Sequence, residues 1–269
     1  MNLSVVLITF NEEANIGRTL ASVQPLVADG KGEIIVVDSG STDRTVEIAK
    51  SFGAKMFVEE WKGFAAQKNS AIDKAAGDWI LSLDGDEEVG SGMREFIFLA
   101  LFGKHQQEFA SFQGGMIFSR RNCFLGRRMR HGGYYPDPKL RLFRRGSARF
   151  EQRPVHEDLR LSHGVEYRPS LFYEMGDPIE IIHHSYPTLS DYIEHMNRYS
   201  SLGAEMVVAK GKVRFSVSNI VLRPLATFIY NYFFRLGFLD GREGLLLHLY
   251  HAVYVSWKYA KAWDLSRKS

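Results

Sequence analysis

Asp84-Gly85-Asp86 follows an apolar run, Trp79–Leu83, and sets two carboxylates one residue apart on an extended segment. They converge on one point only through the turn at Gly85. Hard oxygen donors at that spacing suit Mg2+ or Mn2+, ions that keep waters and take phosphate oxygens as remaining ligands. A solvated acidic turn has the same composition and is the plain alternative.

Two more polar clusters follow apolar runs: Thr9-Phe10-Asn11-Glu12-Glu13 and Asp38-Ser39-Gly40-Ser41-Thr42-Asp43. A carboxylate at Asp38 is placed to accept the imide N–H of a uracil or a ribose hydroxyl. Asp43 is suited to helix capping, and Glu12 and Glu13 to the positive end of a helix dipole. Neither a Gly-x-Gly-x-x-Gly fingerprint nor a P-loop occurs, so a divalent ion has to neutralise a bound pyrophosphate in place of backbone amides. The haloacid-dehalogenase type of phosphatase also uses Asp-x-Asp after a strand. It expects the pair at the first strand, with Thr or Val two positions beyond, where this chain has Glu88.

The elements that carry these clusters alternate. Leu3–Phe10, Glu33–Val37, Lys55–Val58 and Trp79–Leu83 read as strands, and Asn11–Val23, Thr45–Phe52 and Phe64–Ala75 as helices. That spacing predicts βαβ units with a parallel core, and all three polar clusters fall at carboxyl ends of strands, where such sheets bind ligands. Further on, Ser91–Phe102 reads as a helix, Gly115–Ser119 and Leu140–Phe143 as strands, and Ser190–Ala209 as a helix capped by Ser190 or Asp191. Val213–Leu239 and Glu243–Trp263 are apolar and aromatic, separated by a turn at Asp240-Gly241. The expected organisation is an α/β domain in two halves, 1–118 and 119–189, followed by a helical appendage over 190–269.

With 269 residues, 45% of them hydrophobic, the chain is long enough for a large α/β domain with an appendage and excludes disordered or fibrous classes. Cys123 is the single cysteine, which excludes an intramolecular disulfide and fits a reducing compartment. No basic segment precedes the first apolar run, so a cytoplasmic protein is expected. Residues 1–90 hold 8 Lys/Arg against 15 Asp/Glu, whereas 119–153 hold 11 against 2 and 210–269 hold 10 against 3. An acidic cation site first and an anionic partner later is the expected pattern. No nucleic-acid motif appears in either basic segment, so no nucleic-acid partner is expected.

The basic loop holds Arg120, Arg121, Arg127, Arg128, Arg130, Arg141, Arg144 and Arg145, with Tyr134 and Tyr135 between them. Arginine recognises phosphate or carboxylate bidentately and tyrosine stacks on sugar rings, which together predict an acceptor groove for an anionic glycolipid. His183 and His184 are neighbours on an extended segment and point to opposite faces, so at most one can face the acidic motifs. In the tail, Asn219, Arg223, Thr227, Asn231 and Arg235 recur every four residues on an otherwise apolar pattern. Arg223 and Pro224 argue against a membrane span. Helices lying on an anionic membrane surface fit, and so does a helical pair on the core or a homo-oligomer interface.

Val5-Val6-Leu7-Ile8-Thr9-Phe10-Asn11-Glu12-Glu13, Ile34 through Asp43, Gln67-Lys68-Asn69 and Asp84-Gly85-Asp86 resemble the ordered motif series of family 2 glycosyltransferases. These are inverting enzymes with the GT-A nucleotide-sugar-binding fold, an α/β fold. The resemblance implies that Thr9, Phe10, Glu12 and Asp38 contact the donor nucleotide, with Lys68 near its base or phosphates. It implies that Asp84 touches ribose or metal and that Asp86 binds the metal. Gly132 through Pro138, Leu140 through Arg145, Val155-His156-Glu157 and Phe238 through Gly244 are similar to the lipopolysaccharide-core β-1,4-glucosyltransferase group.

Inversion requires a base opposite the leaving nucleotide. The resemblance points to Glu157, with Asp158 as its competitor, and to His156 as a metal ligand or a donor to the pyrophosphate. The implied activity is transfer of a hexose, glucose from UDP-glucose, to a lipopolysaccharide inner-core sugar, with Mg2+ or Mn2+ as cofactor. Transfer to a polyprenyl phosphate or another lipid-linked glycan is the alternative within the same chemistry. A non-catalytic nucleotide-sugar-binding protein is the alternative outside it, and the presence of Asp84, Asp86 and Glu157 argues against it.

Overall fold

The computed structural model describes residues 2–151, 158–169, 177–211 and 213–268. They divide into two compact units, the first of residues 1–120 and 138–183, the second of 121–137 and 184–269.

The first unit is built on β1 (Leu3–Thr9), α1 (Ile16–Val27), β2 (Gly32–Asp38), α2 (Thr45–Ser51), β3 (Lys55–Val58), α3 (Phe64–Asp73) and β4 (Trp79–Asp84). After them in the chain come β5 (Glu87–Val89), α4 (Ser91–Leu101), α5 (Gln106–Ala110), β6 (Gly114–Phe124), β7 (Arg127–Arg128), β8 (Asp137–Arg144), β9 (Ala148–Phe150), β10 (Leu159–Leu161), β11 (Val165–Tyr167) and β12 (Glu180–Tyr186), of which β7, residues 121–124 of β6, Asp137 and residues 184–186 of β12 are counted with the second unit. The main sheet runs β3-β2-β1-β4-β8-β6-β12-β5, with β9 and β10 paired separately. β1 pairs in parallel with β2 and β4, and β2 with β3, as the alternation predicts; β8 then joins β4 antiparallel, which makes the sheet mixed.

Strand periodicity explains the two cores. Leu3, Val5 and Leu7 point to one face, where α1 packs Ile16, Leu20 and Val23 and α4 packs Met93, Phe96 and Ile97. Val6, Ile35, Val37 and Ile80 point to the other, against Ala65, Ala71 and Ile72 of α3. Both faces are covered, so these strands read as continuous apolar runs rather than alternating ones.

The helix expected from Asn11 starts at Ile16 instead. Asn11 has φ 54°, a left-handed value incompatible with helix propagation but tolerated by asparagine. It is held there by the loop after β2. The Asn11 N–H donates to Ser41 Oγ (2.8 Å), the Thr42 N–H to Asn11 Oδ1 (2.9 Å), the Glu12 N–H to Thr45 Oγ1 (2.7 Å) and the Glu13 N–H to Asp43 Oδ2 (3.1 Å). Two polar loops that each read as a helix start are therefore one cross-linked rim.

The second unit contains α6 (Leu189–Val208), α7 (Arg223–Ile229) and α8 (Gly241–Lys268). The cap of α6 is Thr188 rather than Ser190 or Asp191. Its Oγ1 accepts from the Asp191 N–H, and Asp191 Oδ2 accepts from the Thr188 N–H, a capping box. The first tail segment is not one regular helix: wide π-type turns at Ser218–Leu222 and Tyr230–Phe234 flank α7. Pro224 sits in the first turn of α7, where its missing N–H costs nothing. Asp240 closes the segment by accepting the N–H groups of Arg130 (3.0 Å) and His131 (2.8 Å). Gly132 and Gly237 lie against the buried His248 ring, and a Cβ on either would collide with it. No helix among the described residues is long and apolar enough to cross a membrane.

Candidate active site

In the order β3-β2-β1-β4 the chain leaves β1 in one direction and returns on its other side, so a crevice opens beyond the carboxyl ends of β1 and β4. Ile8 and Asp84 are register partners across that crevice, and Thr9 and Asp38 across the next pair.

Asp38 is used up in building the rim. Its Oδ1 accepts from Thr9 Oγ1 (2.9 Å) and Ser41 Oγ (2.5 Å), and its Oδ2 from the N–H groups of Gly40 (2.9 Å) and Ser41 (2.8 Å). Thr9 is buried with it. Thr9 and Asp38, expected to contact a nucleotide, thus also shape the loop that borders the crevice. Phe10 and Glu12 are the rim side chains left nearer the opening: Phe10 is 58% exposed. Burial raises the Glu12 carboxyl above its ordinary value, and the charges of Asp86, Asp84 and Asp43 add to the rise.

Asp84 ends β4 with a cation on each oxygen. Lys68 Nζ lies 2.6 Å from Oδ1 and Arg141 Nη2 lies 3.0 Å from Oδ2. Burial alone would raise this carboxyl, but Lys68 and Arg141 outweigh it and hold it far below the usual carboxylate range. Behind it lies Glu87, fully buried, which accepts from Arg141 Nε (3.0 Å) and Nη2 (2.7 Å) and from Arg120 Nη1 (3.2 Å). Glu87 also accepts the backbone N–H of Asp84 (3.1 Å) and so sets the turn itself.

Asp86 is the carboxylate of the pair not committed to Lys68 or Arg141. Its Oδ2 lies 3.1 Å from His183 Nε2. β12 runs antiparallel to β5 with His183 opposite Glu87, which brings the imidazole to the acidic turn. Burial acts to raise the Asp86 carboxyl; the charge and hydrogen bond of His183 outweigh it, and the carboxyl is held below its ordinary value. Among the described residues no group of three or more His, Cys, Asp or Glu is arranged to hold a metal. The carboxylate fits a Mg2+ or Mn2+ that completes its shell with phosphate oxygens and water, and the imidazole nitrogen, a softer donor, favours Mn2+ over Mg2+.

Several residues expected on the acceptor side have partners of their own within the chain. Arg141 is the buried partner of Asp84 and Glu87. Arg144 lies at the opposite end of the strands, where Nε donates to Phe112 O (3.1 Å), Nη2 also reaches the Ala110 carbonyl and the guanidinium stacks on Trp79. Its charge offsets the carbonyl end of α5 rather than a ligand. Tyr134, in the second unit, packs with Phe124, Met129, Tyr192 and Leu247 and edges onto His248, so its ring is not free to stack on a sugar. Tyr135 is covered by the Arg128 guanidinium at 4.8 Å.

Asp158 is half-exposed, with Arg160 4.0 Å away. Glu157 and His156 lie outside the described residues. Sequence reasoning missed Glu87, whose only signal was an acid next to Asp86, and read Arg120 as part of the basic loop rather than as the partner of Glu87.

The match to known proteins agrees with this geometry. The model of glycosyl transferase family 2 matches residues 4–147, and the chain belongs to that family. Its fold is of the GT-A nucleotide-sugar-binding type. Over 271 residues the chain is 29% identical to an uncharacterized glycosyltransferase of Rickettsia typhi, covering 99% of this chain and 88% of that one. Over 273 residues it is 27% identical to the lipopolysaccharide core biosynthesis glycosyltransferase LpsC of Rhizobium meliloti, covering 97% and 92%. Among solved structures it is similar in fold to the mannosyltransferase PcManGT of Pyrobaculum calidifontis in complex with GDP-Man and Mn2+. That likeness has a TM-score of 0.53 at 15% identity and covers 98% of this chain and 87% of that chain.

Proposed function

We propose that this glycosyltransferase moves a hexose, glucose from UDP-glucose, onto a lipopolysaccharide inner-core sugar or a related anionic glycolipid, with inversion and with Mg2+ or Mn2+ bound. The observation that carries the metal and donor part is the Asp86–His183 pair at the mouth of the β1–β4 crevice. Around it Asp84, Asp86, Glu87 and Glu12 outnumber the permanent cations Lys68, Arg120 and Arg141. Lys68, Arg120 and Arg141 are already paired with Asp84 and Glu87, so an accompanying cation gives an entering diphosphate a charge partner. Asp86 and His183 would hold a divalent ion, which would supply positive charge to offset that of the diphosphate.

The chain's own groups do the rest. Lys68 and Arg141 keep Asp84 ionised and fixed, free to accept a donor hydroxyl through its remaining lone pairs. Phe10 offers an apolar surface at the rim. Glu157 takes the proton of the acceptor hydroxyl as its oxygen attacks the anomeric carbon, and the bond to the diphosphate breaks with its electron pair leaving on UDP. Glu157 carries this role from its sequence motif. The acceptor class is supported by the full-length likeness to LpsC.

The test is a thermal-shift screen of UDP-, GDP- and ADP-hexoses with and without Mn2+, followed by UDP release on core-truncated lipopolysaccharide. A ligand that binds only the folded chain raises its melting temperature by mass action. Stabilisation by UDP-glucose that requires Mn2+, with release of UDP only when acceptor is present, is the expected result. Equal stabilisation in EDTA removes the metal, and a preference for another nucleotide replaces the donor.

A further inference from the structure

We propose that segment 214–239 of the second unit, helical over 217–234, docks on an anionic phospholipid bilayer through one exposed apolar face, independently of the donor and acceptor proposed above. The segment packs one side on α8. Ser256 Oγ donates to the Ile220 carbonyl (2.8 Å), the Arg223 guanidinium meets the Tyr259 hydroxyl and ring, and Pro224 is buried. The other side carries Leu222, Leu225, Ile229 and Phe233, spaced three or four residues apart, with Tyr230 and Phe234 beside them, each open to solvent and Phe234 75% exposed. An apolar stripe of that length left in water marks an interaction surface rather than ordinary surface variation.

The charges choose the occupant. Residues 206–239 contain five Lys/Arg and no Asp or Glu. A two-fold contact between copies would set this face against itself and bring arginine to arginine with no acid to pair it. An anionic leaflet gives the arginines phosphate partners and the aromatic and aliphatic side chains a headgroup–acyl boundary. Arg214, Arg223 and Arg235, together with Pro224, place the segment at the interface and not across it, in keeping with the absence of a spanning helix among the described residues.

Sedimentation of the full chain with vesicles of phosphatidylglycerol and phosphatidylcholine, against phosphatidylcholine alone, tests this. Binding to the anionic vesicles should exceed binding to the neutral ones by roughly tenfold and weaken several-fold as salt is raised. L222S/F234S, two exposed positions, should lower partition by roughly tenfold or more with an unchanged melting curve. K210Q/R214Q should lower binding to the anionic vesicles only, and this arm stands even if the apolar variant misfolds. A wild-type chain that stays in the supernatant overturns the proposal. So does a concentration-dependent dimer that L222S/F234S dissociates while vesicle binding is absent.

Discussion

His183 Nε2 and Asp86 Oδ2 lie 3.1 Å apart although the two residues stand 97 positions apart in the chain. The contact divides the labour of the acidic motif. Asp84 is locked by Lys68 and Arg141, while Asp86 and the His183 imidazole form the pair that an incoming cation can share.

Asp86→Ala should abolish turnover and the Mn2+-dependent part of UDP binding. His183→Ala should weaken Mn2+-dependent UDP binding by about 10–100-fold, the usual range for a group that holds or orients a metal ligand. Calorimetric titration of UDP with and without Mn2+ reads both. Unchanged Mn2+ dependence in His183→Ala would exclude the imidazole from the metal site.

Arg141→Met leaves the fully buried Glu87 with Arg120 as its remaining cation in this cluster and strips one oxygen of Asp84. Breaking a buried pair from one side costs about 3–5 kcal/mol. Arg141→Lys should recover little of it, because an ammonium cannot serve two carboxylates with a planar fork. Arg141→Met with Glu87→Gln should regain part of the stability but not the activity. Urea midpoints and UDP-release rates separate the two effects, and a single variant as stable as wild type would contradict the geometry.

Glu157→Gln preserves size and hydrogen bonding but cannot take a proton. Donor affinity should stay within a few-fold of wild type while turnover falls by roughly 10²–10⁴. Asp158→Asn, at a half-exposed position beside Arg160, should do much less. Reversed outcomes would move the base one residue along the chain.

His248 is buried, and neither ring nitrogen has a hydrogen-bond partner among the described residues. Burial, with His251 adding, pushes its imidazole down from 6.5 to about 4. The unfolded chain therefore binds the proton more readily. The stability this site contributes is complete above pH 6.5 and is lost as pH falls from 6.5 towards 4, by at most about 3 kcal/mol. The second unit should lose melting temperature across that window, and His248→Asn should flatten the slope. A slope that persists in the variant assigns it to other groups.

Much of this was legible in the residues alone. The four central strands, their parallel order and the position of Asp84 and Asp86 at a strand end follow from local apolar runs and period, because short-range sterics and burial on two faces dictate them. Helix ends were read less well where a distant group intervenes: Asn11 is held left-handed by the loop after β2, and Thr188 wins the cap because Asp191 can reciprocate. The roles of arginines were not legible at all. Arg141 and Arg144 stand three residues apart in one basic run, yet β8 carries the first to the carboxyl end of β4 and the second to its amino end. Charge in a sequence states what a side chain can pair with, and only the antiparallel register of β8 on β4 decides which carboxylates or carbonyls it meets. Likewise alternation along β12 allowed one histidine of the pair to face the acidic turn, and the pairing of β12 with β5 made it His183.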